Sequence, residues 1–356
     1  MKNMRTLLGI LTGSLVACAV QAQVEITVTG STSFRAITID RAGSLFDVNA
    51  AYTAVTNDAS VGLMSFRGTV SNAIPSLGAT PVTMRLSFSG SGSGMLAVVN
   101  RTPVSCAEFP GPGATVNKVP DFALSDVYPG AAAPPITSGL DDNLLGVIPF
   151  VYVRNNALTG ITNITRDQAM TLMTASGAMP ASYLGANNAN AGNPIYLTGR
   201  DSGSGTRITV HKDLNFIGTP LLWATNGAGA YISSPGLSSG GLERNIISGK
   251  SDAIGYLGVA DAAAIAGTAT TISYSGVAYS ESAVANGAYG LWGYEHIVNR
   301  TGGMSANQQA IRDALIAAIT SPAYQSTPIY TNSFVRLNQM NVSRGADGGA
   351  MTSLIW

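Results

Sequence analysis

Three times in this chain a short apolar run passes into a loop of Gly, Ser and Thr and then into a segment of helical character. The first unit joins residues 26–28 through Gly30-Ser31-Thr32-Ser33-Phe34 to a helix expected from about Arg35. The second joins residues 86–88 through Gly90-Ser91-Gly92-Ser93-Gly94 to residues 95–99, and the third joins residues 195–197 through Arg200-Asp201-Ser202-Gly203-Ser204-Gly205-Thr206 to a helix through Val210 and Leu214. Repeated strand–loop–helix units predict an α/β protein. Each helix start exposes unpaired backbone N–H groups and a partial positive charge, which together suit an anion. Glycine lets the backbone approach an oxyanion closely, and Ser and Thr add hydroxyl donors. A single Gly/Ser turn before a helix is common and serine is a good N-cap, so the argument rests on all three loops.

The loops lack the sharper motifs. None reads G-x-x-x-x-G-K-[ST] or G-x-S-x-G, and Met95 stands where the last glycine of G-x-G-x-x-G would fall. Nucleotide hydrolysis, dinucleotide binding and esterase chemistry therefore lose their usual signatures, and no nucleophile–base pair marks an enzyme. Nor is the chain suited to nucleic acid, since 19 basic residues are matched by 19 acidic ones and phosphate neutralisation needs a basic excess. Any anion must be held by a few aimed groups. Arg200 offers a planar fork that stays charged when buried. Asp126 closes the segment Asp121-Phe122-Ala123-Leu124-Ser125-Asp126; a carboxylate beside an anion is unfavourable unless the ligand brings a proton for it.

Elsewhere the pattern reads as ordinary architecture. Val82, Met84, Leu86 and Phe88 alternate with polar residues, which predicts a strand with one buried face. Thr165 with Gln168 predicts a capped helix over residues 164–175, and Ile311, Leu315 and Ile319 mark another. Residues 101–120, with Pro103, Pro110, Pro112 and Pro120, and the Asn-rich residues 186–194 read as loops. Residues 50–80 and 101–120 are insertions by this reading. His211 and His296 lie far apart without a ligand cluster, so neither a metal nor a cofactor is expected. Residues 290–296 are aromatic and read as core, and Asp201 and Arg207 as a pair with one another or with solvent.

Residues 1–22 carry Lys2 and Arg5, an apolar stretch from Leu7 to Val20 and the end Val20-Gln21-Ala22, the pattern of a secretory signal peptide. The stretch is shorter than the roughly 20 residues of a membrane span and no comparable run follows, so an exported protein without a transmembrane span is expected. Leu15-Val16-Ala17-Cys18 also resembles a lipobox that would lipidate Cys18 and anchor the chain at the cell surface. Against it, the alternating Val24, Ile26 and Val28 begin only six residues later. With cleavage after Ala22, Cys106 is the sole cysteine of the mature chain and no intramolecular disulfide forms.

At the loops the sequence resembles the phosphate-specific substrate-binding proteins of bacterial ABC importers. Gly30-Ser31-Thr32-Ser33-Phe34 is similar to that family's opening anion loop, Ser93 to its Ser-bearing helix start, and residues 121–126 to its D-F-x-x-S-D segment. Arg200 with Gly203-Ser204-Gly205-Thr206 matches R-x-x-G-S-G-T, and Asp252-Ala253-Ile254-Gly255-Tyr256 resembles the family's A-I-G-Y strand. The resemblance implies a type 2 periplasmic-binding-protein fold, two α/β lobes of mixed sheet and flanking helices that close on a ligand. Lobe I would comprise residues 23–147 and 289–356, and lobe II residues 148–288. It further implies that Ser33, the Phe34 N–H, Ser93, Arg200, Ser204, Gly205 and Thr206 donate to phosphate, that Asp126 accepts the ligand's proton, and that a monomeric receptor delivers phosphate to an ABC permease. Sulfate, which carries no such proton, would be refused. Ser202 departs from the pattern where the family commonly has an Asp beside the Arg. Two other readings stay open: the same fold with a different oxyanion or phosphorylated ligand, or a surface or structural protein on this scaffold.

Overall fold

The computed structural model describes residues 23–48, 52–56, 62–109, 111 and 113–354. The expected signal peptide, with Cys18 and the cleavage point after Ala22, lies outside them, as do Pro110 and Pro112. The strand Val24–Gly30 runs between Val82–Ser87 and Phe122–Ser125, parallel to both. Beyond Val82–Ser87 the sheet continues antiparallel through Leu63–Gly68 to Thr53–Thr56. On the other side Phe122–Ser125 pairs antiparallel with Trp292–Arg300, which pairs antiparallel with Leu140–Asn155.

Leu140–Asn155 is 16 residues long and serves two sheets. Leu140 to Pro149 pair with Trp292–Arg300, whereas Phe150 to Arg154 pair with Ala253–Gly258, beyond which Tyr196–Leu197 adds in parallel. Ala269–Tyr274 also joins this far half and carries Asn163–Ile164. The helices Arg35–Ser44, Ser91–Asn100 and Ala306–Thr320 pack on the first sheet, and Gly205–Leu214, Gly240–Gly249 and Val259–Ala263 on the second. The result is two α/β lobes joined by shared strands.

Local sequence explains most elements. Thr165 caps Arg166–Ala175 by accepting from the Gln168 N–H at 3.1 Å while Gln168 Oε1 accepts the Thr165 N–H at 2.9 Å, the expected capping box. Ile311, Leu315 and Ile319 are the buried stripe of Ala306–Thr320. The alternation in Val82–Ser87 misled in one respect: all six residues are buried, because an interior strand of this sheet is covered on both faces. Arg85, 2% exposed, pays for its burial with Glu108 at 2.9 Å and Glu25 at 3.4 Å. Glu108 follows the strand Val104–Ala107, which forms a hairpin with Thr115–Lys118; residues 101–120 are therefore a covering hairpin rather than the expected loop. Cys106 lies buried on its first strand, opposite Val116, and burial pushes its thiol up to about 11, away from the range of a reactive thiol. Residues 186–194 are turns, tied down by Asn188 and Asn190 bonding to the Ala157 carbonyl. Among the described residues no helix is long and apolar enough to cross a membrane.

Candidate anion-binding site

The three loops meet. Gly90 N–H donates to Gly30 O at 2.8 Å, Gly92 N–H to Gly203 O at 2.9 Å, and Ser31 N–H to Leu124 O at 2.8 Å. These bonds bring residues 30–34, 90–93, 124–126 and 200–206 into one cluster between the lobes. Gly30 turns the first loop at φ +111°, and a Cβ there would fall on the Leu124 carbonyl, so only glycine fits. Gly205 is required for a different reason: a Cβ would lie 2.7 Å from Asp126 Cβ.

Three ten-residue helices begin here, at Arg35, Ser91 and Gly205, and none carries a side-chain cap. Among the described residues three other helices run ten residues or longer, and each is capped, by Thr165, Ser239 or Ser305. The contrast is physical: a side-chain cap satisfies first-turn N–H groups internally, and its absence leaves those not taken by backbone, as Gly92 N–H is by Gly203 O, available to an anion.

Asp126, 1% exposed, stands at the centre. Ser31 Oγ donates to Oδ1, and Ser33 Oγ donates to Oδ2 at 3.2 Å. Ser91 Oγ accepts the Asp126 N–H at 3.1 Å, which leaves its own proton to donate elsewhere. Arg200, 2% exposed, is oriented by the carbonyls of Leu237 and Ser238 at 3.0 Å, so the carboxylate missing at Ser202 is replaced by backbone acceptors. Its guanidinium also donates to Thr32 Oγ1 at 3.2 Å across the gap between the loops. Behind it Glu243 is fully buried, accepts the Tyr256 N–H at 3.0 Å, and has its pKa raised well above the usual range by desolvation despite Arg200.

The predicted residues are thus largely gathered. Asp126, Arg200, Ser204, Gly205 and Thr206 are all buried here, and Ser33 is half-buried against Asp126. The Phe34 N–H donates at 3.1 Å to Ser31 Oγ, while its ring packs edge-on to Phe334. Ser93 is exposed beside Gly203, and Ser91 is the serine the fold turns inward. Ser31, Thr32, Ser91 and Glu295 were not singled out from the sequence; the first three lie in the same loops, where the hydroxyl that faces in depends on where each helix starts. Arg207 does not pair with Asp201 but donates to the carbonyls of Arg200 and Pro235, whereas Asp201 accepts the Gly203 N–H. The aromatic residues 290–296 are core, with Trp292 fully buried beneath Arg344. His296 bonds Asp142 at 2.9 Å and His211 packs on Phe216; among the described residues no group of three His, Cys, Asp or Glu could hold a metal.

Comparison with solved structures bears on the fold. An ABC-type phosphate transport receptor from Vibrio cholerae matches with a TM-score of 0.55 at 16% identity, over 87% of this chain and 99% of that one. A putative phosphate ABC transporter substrate-binding protein with bound phosphate from Clostridium perfringens matches with a TM-score of 0.57 at 15% identity, over 88% and 99%. The fold is the two-lobed periplasmic-binding-protein fold. At identities this low the periplasmic-binding-protein likeness is one of architecture. No family model matches the chain, and no curated protein matches it in sequence.

Proposed function

We propose that the protein is an exported receptor that captures inorganic phosphate between its lobes and presents it to an ABC-type permease, acting by binding rather than by catalysis. The observation that carries this reading is the meeting of three uncapped helix N-termini with buried Arg200 at Asp126. In it, Ser33 and the Phe34 N–H, turned from Asp126 and Ser31 Oγ when the ligand enters, join Ser91, Arg200, Ser204, Gly205 and Thr206 in donating to the oxyanion, and Asp126 accepts the ligand's proton. Lobe I is residues 23–147 with 289–356 and lobe II residues 148–288; the strand Leu140–Asn155 crosses between them and supplies the hinge. The apolar residues 7–20 would direct export to the periplasm.

A cavity of about 230 Å³ beside Thr32 and Ser33, lined also by Arg35, Ser239 and Arg244, favours a second reading in which the ligand is a phosphorylated compound. Equilibrium binding separates the two. Mature protein is stripped of ligand by unfolding and refolding, then titrated with labelled phosphate against sulfate and a phosphomonoester. Tight phosphate binding that sulfate does not displace is expected; displacement by the ester at lower concentration than by phosphate itself would favour the second reading. Absence of any phosphate binding by refolded protein would overturn both.

A further inference from the structure

Glu295 is fully buried on the strand Trp292–Arg300, and neither of its carboxyl oxygens has a hydrogen-bond partner. The strand register explains where it points. His296 pairs with Ser125, so the next position along each strand sets Glu295 beside Asp126. On the other side Glu295 pairs with Gly146, and the register then jumps to His296 with Leu144, a bulge that re-aims the side chain. Gly146 has no side chain, and the Tyr330 hydroxyl occupies that space. Tyr330 donates to the Leu145 carbonyl at 3.2 Å and accepts from Gln325 at 3.1 Å. The titratable groups that face Glu295 are therefore Asp126 and Tyr330, and neither is a cation.

An ionised carboxylate in this position would be buried without a donor or a counter-charge, which is costly. A protonated one has an O–H to give, and its neighbour Asp126 is an acceptor. Desolvation first, and the charge of Asp126 second, push Glu295 well above the usual carboxyl range. Resting on the phosphate reading above, we propose that Glu295 is a positioning residue of the anion site: as a neutral acid it donates a hydrogen bond to Asp126 and fixes that carboxylate as the acceptor of the ligand's proton. No covalent bond changes. The pair holds one proton before the ligand arrives, and the ligand's proton adds a further hydrogen bond to an Asp126 already held by Ser31 and Ser33.

Two readouts on the full mature chain test it. Infrared difference spectra of ligand-free wild type minus E295Q near pH 8 should show a protonated-carboxyl C=O band, since an ordinary Glu is ionised there. In phosphate titrations, E295L should bind at least about ten-fold more weakly than wild type and admit sulfate, and E295Q, whose amide still donates, should recover most of that loss. Because folded Glu295 holds its proton above the unfolded value, stability falls as pH rises through that value; E295Q should therefore gain in melting temperature over wild type from acid toward neutral pH. The absence of the carboxyl band, or an E295L protein that binds phosphate and excludes sulfate as wild type does, would overturn the proposal. Wild type that binds no phosphate would sink the phosphate reading, and the band would then decide alone whether Glu295 is neutral.

Discussion

Asp47 and Asp126 are both nearly buried aspartates surrounded by hydroxyl donors, yet the donors come from different places. Asp47 takes the Thr69 and Ser71 hydroxyls at 2.7 Å and the N–H groups of Ser71 and Asn72 at 2.8 and 2.9 Å, all from one short stretch. These bonds, that from Thr69 foremost, hold its carboxyl down at about 2. Asp126 has two serine hydroxyls from a loop 93 to 95 positions away, and its other neighbour is another carboxyl. Asp47 is saturated and ties a turn; Asp126 is left among competing needs that a proton-bearing anion would relieve. Local frustration of that kind is what the proposed anion site would draw on, whereas a saturated aspartate serves as a staple.

Five substitutions would break or sharpen this contrast. The largest effect is expected for Arg200→Ala, which removes the site's buried cation; with charge-assisted bonds contributing about 1.5–3 kcal/mol each, phosphate binding should fall by about 100-fold or more in calorimetric titration. Asp126→Asn comes next: phosphate affinity should drop about ten-fold while sulfate becomes a competitor, and continued sulfate exclusion would remove Asp126 from its role. Ser91→Ala should weaken phosphate by several-fold, roughly one hydrogen bond, and Ser93→Ala should leave it unchanged; the reverse order would favour Ser93, as the sequence suggested, over Ser91. Asp47→Asn should not alter binding but should lower the melting temperature. Its folded pKa is depressed, so the stabilisation is present above the unfolded value near 4 and is lost as pH falls toward about 2. The wild-type and Asp47→Asn melting curves should therefore converge in acid.

What the sequence revealed tracks how local each feature is. The helix start at Arg35 is written in neighbouring residues, as is the Thr165–Gln168 box, and both were readable, whereas the helices Ser91–Asn100 and Gly205–Leu214 begin inside the Gly/Ser loops, earlier than the sequence suggested. The choice between Ser91 and Ser93 was not readable, because it depends on the first turn of Ser91–Asn100, and a shift of two residues exchanges the inward and outward hydroxyls. The hairpin in residues 101–120 depends on Arg85 and Ser65, whose hydroxyl donates to the Ala107 carbonyl at 2.7 Å, partners far away in the chain. Glu295 was the least legible. It sits in an aromatic run that reads as core, and only the pairing of Trp292–Arg300 with Phe122–Ser125 sets it beside Asp126.

That same pairing has a consequence for how the chain is made. Phe122–Ser125 and Leu140–Asn155 flank an empty lane until Trp292–Arg300 arrives, more than a hundred residues later in synthesis. The first lobe therefore cannot complete its sheet from its own early segments. Closing so long a loop before its contacts repay the cost makes folding slow, and truncation before residue 292 would leave two strand edges open to pairing with other chains.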